Sequence, residues 1–383
     1  MKRKGLIIAA LGLIILAQVA QADWTTYKRL TWTSGESNNP AIAVDSAGDL
    51  HVVWDDPTPG NWEIYYKKST DAGTTWTISK RLTLTSGASS RPAIAVDPYD
   101  NLHLVWSDET PGNGEILYKK STDGGATWTK DNRLTWTSGH SFEPVIAVDP
   151  SGNLHVVWED YTPGNGEIFY VNSSDGGTTW TTSKRLTWNS GLSYEPAMAV
   201  DPSGNLHVSW VDGTSGNWEI YYKKSTDGGI TWETSKRISW TSGGSYAAAL
   251  AVDPSGNLHM FWSDDTPGNY EVYRVKSTDG GATWTKSQRL TWTSGESWWP
   301  AIAVDSPANL HVVWYDDTLG NYEIYYKKST DGGATWTANN RLTWNSGASE
   351  VPAIGVDSSG NLHVVWEDST PGNIEIYYKK FIK

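Results

Sequence analysis

Cysteine is absent from the 383-residue sequence. That excludes a disulfide framework, a cysteine-based zinc site and a thiol nucleophile. Phenylalanine is scarce, with 4 residues beside 24 Trp and 19 Tyr. So much indole and phenol surface demands burial, which excludes a disordered chain. Positive charge is in deficit, 30 Lys+Arg against 43 Asp+Glu. The deficit argues against a nucleic-acid partner, which needs a basic footprint. After one apolar run near the N-terminus, no stretch is long enough to cross a bilayer.

The apolar run has the anatomy of an export signal. Lys2, Arg3 and Lys4 precede Gly5–Ala17, and Ala20-Gln21-Ala22 offers a small-residue cleavage site. Residues 1–22 are therefore expected to be a signal peptide cut after Ala22, with the mature chain secreted, periplasmic or on the cell surface. An uncleaved anchor is the alternative, though the run is short for a span. No Cys follows it to take a lipid. Cleavage removes three basic and no acidic residues, which leaves a net charge of −16. Residues 23–383 are expected to form one domain, monomeric and without a membrane span.

A fixed period runs through that domain. Arg29, Arg81, Arg133, Arg185, Arg237, Arg289 and Arg341 are each 52 residues apart, as are Asp45, Asp97, Asp149, Asp201, Asp253, Asp305 and Asp357. Regular spacing of this size marks a solenoid, propeller or array. Each unit reads as four short strands. In the second unit these are Pro92–Asp97, Leu102–Trp106, Glu115–Lys120 and a stretch within Trp128–Trp136, separated by Gly, Pro, Asn and Asp turns. Four strands per repeat predict an all-β, seven-bladed propeller. The chain opens at Asp23-Trp24, which matches the start of a fourth strand, and ends at Tyr377–Lys380, which matches a third. The N-terminal strand is thus expected to complete the last blade and cover two sheet edges. Twenty of the 24 Trp fall at three repeat positions, typified by Trp24, Trp54 and Trp32. The remaining four are Trp62, Trp218, Trp298 and Trp299.

Six units carry Ser-x-Asp-x-Gly-x-Thr-Trp, beginning with Ser69-Thr-Asp71-Ala-Gly73-Thr-Thr75-Trp76. This resembles the Asp-box, or BNR repeat, of the sialidase superfamily. The resemblance implies a β-propeller with the boxes at turns between third and fourth strands. Asp71, Asp123, Asp175, Asp227, Asp279 and Asp331 are expected to be structural, each accepting N–H bonds from its own turn. A calcium loop needs more acidic ligands than one Asp per turn. Neither a metal nor a cofactor is expected.

Sialidases of this superfamily use three arginines around the substrate carboxylate, a Tyr activated by Glu, and an acidic proton shuttle. An Arg-Ile-Pro motif opens a first strand. Here only Arg91 stands near such a Pro, adjacent to it instead of two before it, which is expected to turn its side chain to the other face. Seven of the nine mature arginines are locked into the repeat. A three-arginine cluster cannot be assembled from the rest. Glu143 and Glu195, at equivalent positions of adjacent units, are the weaker catalytic candidates, since paired carboxylates serve glycoside hydrolysis. Seven of the eight His repeat at the His51 position. Packed sheets stand ~10 Å apart and Zn–N bonds are ~2 Å, so neighbouring blades cannot share a metal through them. Hydrogen bonding between blades is the expected role.

A unique ligand site must use positions that differ between repeats. Before the first strand these include Phe142, Tyr194, Tyr246, Trp298 and Trp299. Between the second and third strands they include Trp62 and Trp218, with Asp55, Glu159 and Glu367 at a further varying position. Aromatics on a concave polar face suit stacking on carbohydrate or an anchor from an extracellular protein. A repeated site would instead use Asp56-x-Thr58-x-Gly60-Asn61-x-Glu63, present in all seven units, beside Trp32 and its equivalents. The same segment also reads as a turn with Asn61 left-handed. The sequence thus points to an exported, non-catalytic propeller binding glycans. A glycoside hydrolase or exo-sialidase with a degenerate site is the alternative, and a protein-interaction scaffold a further one.

Overall fold

The computed structural model describes residues 23–305 and 308–383; the expected signal peptide lies outside them. Seven antiparallel sheets form a ring. The first comprises Asn38–Val44, Leu50–Asp56, Glu63–Ser69 and Lys80–Arg81, ordered from the channel outward. The other blades repeat this order, and no described residue is helical. The outer strand is shorter than the sequence suggests. In blade 2 it spans only Asn132–Arg133, because the Asp-box turn and the segment after it are irregular. The last blade is closed by the chain's two ends: Asp23 and Trp24 pair with Ile382 and Phe381, and Lys28 and Arg29 with Tyr378 and Tyr377.

Second strands carry the core. Leu102–Asp108 is buried along its whole length, and so are its counterparts in almost every residue. A strand covered on both faces needs apolar residues in succession, hence Leu-His-Leu-Val-Trp. Trp106 fills the gap between blades and is wholly buried. The Asp-box tryptophans seal the same gaps further out. Trp128 meets Tyr66 of the preceding blade edge-on at 5.5 Å, and Trp180 meets Tyr118 at 5.0 Å.

The histidine series bonds within and between blades. His103 Nδ1 lies 2.8 Å from Tyr118 Oη and Nε2 lies 3.1 Å from Asp97. In the first blade Tyr66 donates its hydroxyl to Gly124 O in the next blade's box. Burial holds these histidines neutral, with His207 pushed down to about 4. Blade 5 breaks the series. Arg274 replaces the tyrosine and donates to Gly333 O, leaving His259 Nδ1 buried without a partner among the described residues.

The box itself is a closed hydrogen-bonded turn. Asp71 accepts from Ser69 Oγ at 2.9 Å, Thr75 N at 2.7 Å and Thr75 Oγ1 at 2.7 Å. Those Thr75 bonds draw its carboxyl down to about 2.

Candidate functional site

Every inner strand begins with a bulge. The ladder of blade 3 breaks between Phe142 and Val145, and each other blade breaks at the matching place. At the break Asn39, Arg91, Glu143, Glu195, Ala247, Trp299 and Val351 all adopt φ between 46° and 54°. Side chains there cost about 1–2 kcal/mol in this left-handed region, and a β-branched Val is the most strained. Six of the seven precede proline, which has no N–H to lose from the ladder. Bulges re-aim side chains. Here all seven residues line one pocket of about 280 Å³ at a mouth of the channel.

Arg91 therefore faces this mouth, contrary to the reading from strand alternation. The bulge resets the face on which it emerges. Its guanidinium pairs with Glu143 Oε1 at 2.5 Å. Several bulge N–H groups find acceptors on a neighbouring blade. Asn39 N donates to Glu367 Oε1 at 2.6 Å and Arg91 N to Asp55 Oδ2 at 3.2 Å. Trp299 N donates to Ser263 Oγ at 3.1 Å. In blade 4 the acceptor position holds Val211, and Glu195 Oε2 takes the N–H of Ala247 instead, at 2.9 Å.

The acids at this mouth hold their protons unusually well. Burial, then the charge of Glu143, raises Glu159 to about 8 and Glu195 to about 7. Burial raises Glu367 to about 8, against the N–H bond from Asn39. Asp55 rises to about 6 through burial, opposed by the Asn39 amide. Burial also raises Glu143, with Arg91 pulling the other way. Burial thus holds Glu159 and Glu367 toward the carboxylic acid form, which can donate as well as accept.

An aromatic wall stands beside the acids. Tyr194 meets Trp218 edge-on at 5.1 Å, and Trp218 reaches Tyr246 at 6.4 Å. Tyr246 touches both Tyr270 and Trp298 at 6.0 Å, and the last two lie 3.7 Å apart. Glu296 extends the wall, accepting from Trp298 Nε1 at 3.2 Å and Tyr322 Oη at 3.3 Å. All of these rings are half-buried.

The ring thus brings Glu143, Glu195, Arg91 and Trp299 together in the mouth, and Tyr194, Tyr246, Trp298 and Trp218 together in the wall. Phe142 belongs to a separate group, stacked on His140 at 5.3 Å and edge-on to Tyr161 at 6.5 Å. Trp62 makes no ring–ring contact among the described residues. Asn61 is not left-handed; Gly60 is, with φ 99°. Asn61 instead donates to Thr85 O and Gly87 O, tying two loops together. Asp55, Glu159 and Glu367, which the sequence marks only as varying between repeats, are buried acids bonded to or charged against this mouth. The variation is visible in the sequence, but the burial is not.

Family models fit this geometry. A BNR repeat-like domain matches residues 138–312, and a BNR repeat-containing family matches residues 12–187. The chain is a BNR-repeat β-propeller of the sialidase superfamily. This propeller is 25% identical over 314 residues to a xyloglucanase of Acetivibrio thermocellus, covering 72% of this chain and 35% of that protein. It is 26% identical over 281 residues to a sialidase of Bacteroides fragilis, covering 61% and 50%. The chain therefore spans about a third to a half of these relatives' lengths. Among solved structures, an ulvan lyase superposes with a TM-score of 0.66 at 12% identity, covering 92% of this chain and 95% of that one. That likeness is one of fold.

Proposed function

We propose that this BNR propeller is an exported, non-catalytic glycan-binding protein. Its ligand site is the acidic mouth and the aromatic wall beside it. One observation carries the reading: the contiguous wall Tyr194–Trp218–Tyr246–Tyr270–Trp298 flanks a pocket of about 280 Å³ that holds Arg91, Glu143 and Glu195. Rings of this kind offer apolar faces to sugar C–H groups, while Arg91, Glu143 and Glu195 of the pocket offer partners to hydroxyls. Relatives named xyloglucanase and sialidase support the ligand class. The test is calorimetric titration with xyloglucan oligosaccharides and sialyllactose, after a glycan array on residues 23–383. Trp218→Ala with Trp298→Ala should weaken binding at least tenfold; unchanged affinity sinks the site.

A specific observation favours a hydrolytic second reading. Glu195 holds its proton near neutrality beside Glu143, the disposition of a general acid. Release of sugar from the bound glycan, abolished in Glu195→Gln, would replace the binding-only reading with this one.

A further inference from the structure

A second aromatic array lies outside the mouth. Trp32, Trp136, Trp188, Trp240, Trp292 and Trp344 follow the outer strands and are 62–73% exposed. Six large indoles left in solvent at one repeat position are not core residues. Nor are they loose. Arg237 lies 4.2 Å from the centre of the Trp240 ring, and Arg289 lies 5.7 Å from that of Trp292. Each such arginine is fixed by a fully buried glutamate of its own blade, as Arg133 is by Glu115 at 2.7 Å. The ring is thus held in place before any ligand arrives, which lowers the entropy lost on binding.

Grooves accompany two of these rings at the seams between blades. Trp240 lines one of about 520 Å³ with Thr283, Trp284 and Lys286 of the next blade. Trp292 lines one of about 500 Å³ with Trp336 and Lys327. Lys327 is 8% exposed, donates to Leu290 O at 2.7 Å, and has no acidic partner among the described residues. An ammonium has three N–H donors, so two remain for a ligand. Lys67 and Lys379 occupy the same position, 5.4 and 5.2 Å from the ring centres of Trp32 and Trp344.

We propose that these two grooves, and the equivalent seams beside the other four rings, are repeated saccharide sites, each taking one or two pyranose rings. The C–H face of the sugar lies on the indole and its hydroxyls meet the polar groups of the next blade. The grooves fit this occupant by size and by their pairing of an apolar plate with hydrogen-bond donors. An anionic lipid surface fits poorly, since the chain's net charge is −13 and the ring arginines are already neutralised. Individually weak sites on one rigid ring bind a polysaccharide 10²–10⁴ times more tightly than a single sugar unit. Blade 1 has Leu84 at the Trp position and lacks the plate.

The test uses residues 23–383 labelled with 5-fluorotryptophan, with each signal assigned by single Trp→Phe replacement. Methyl glycosides of glucose, galactose, xylose and sialic acid are the probes, each taken to 100 mM. The six rim signals should shift together with one of them, and Leu84→Trp should add a seventh that follows the same curve. Trp218→Ala with Trp298→Ala should leave all six shifts intact, which separates this proposal from the reading of the mouth. No rim shift with any probe overturns it. So does a rim response confined to phosphatidylglycerol vesicles, which would assign the ring to a lipid surface.

Discussion

At one mouth of the channel the same residue stands in blade after blade. Asp97, Asp149, Asp201 and Asp253 each accept two N–H groups of their own turn and the amide of an Asn, as Asp97 does from Tyr99, Asn101 and the Asn101 side chain. Burial alone would raise Asp97, yet these bonds and His103 bring it below its ordinary value. At the opposite mouth the seven equivalent residues are Asn, Arg, two Glu, Ala, Trp and Val, all held in one unfavourable backbone conformation. The bulge is common to all blades and the side chains are not. A ring of identical units can repeat a stabilising contact seven times, but it makes a singular site only where the units differ.

Breaking a repeated contact should have the largest effect. Glu115 is fully buried and receives Arg133 at 2.7 Å and Thr137 N at 3.0 Å. Glu115→Ala should lose about 3–5 kcal/mol by leaving buried partners unpaired. Glu143→Ala, which removes a half-exposed pair, should stay within about 1 kcal/mol. Denaturant titration of both variants checks the contrast, and equal losses would erase it.

The two mouths should also respond to pH in opposite directions. His207 and His311 have their folded values lowered to about 4. Their contribution is complete above about 6.5 and is lost as pH falls toward 4. Glu159, Glu195 and Glu367 have folded values raised to about 8, 7 and 8. Their protonated forms suit the fold, so that contribution is lost as pH rises from about 4.5 to 8. Glu159→Gln with Glu367→Gln should recover several kcal/mol at pH 8 and much less at pH 5. Melting curves across that range test this; an unchanged alkaline limb would refute it.

Smaller gains should come from relieving single positions. Val351→Asn, at φ 46°, should stabilise by about 1 kcal/mol, because Asn tolerates the left-handed region. Arg274→Tyr should gain about 0.5–1 kcal/mol by giving His259 Nδ1 the partner that the other blades have. A drop in melting temperature for either would show that the deviation, not the repeat, is the favoured state there.

The fold was open to sequence reading because each repeat restates it. Asp-box turns, the three inner strands of each blade and the pairing of chain ends all follow from residues at fixed spacing. Only the outer strands were overestimated, since Trp128 and Trp136 flank an irregular segment. The candidate site was half legible. Tyr194, Tyr246 and Trp298 stand out because they break the repeat. The facing of Arg91 was hidden by the bulge, which no alternation of apolar and polar residues signals. Asp55, Glu159 and Glu367 were hidden by closure itself, because their burial comes from the adjoining blade.

The joining of the two chain ends in one blade has a kinetic consequence. Tyr65 and Arg81 pair across about 16 residues, whereas Tyr377 and Arg29 must meet across about 350. The added loop-closure entropy is about 3 kcal/mol, and nothing can be formed there until the final strand has been synthesised. The last blade is therefore expected to assemble late and open first, so its amides should exchange with solvent deuterium sooner than those of its six neighbours.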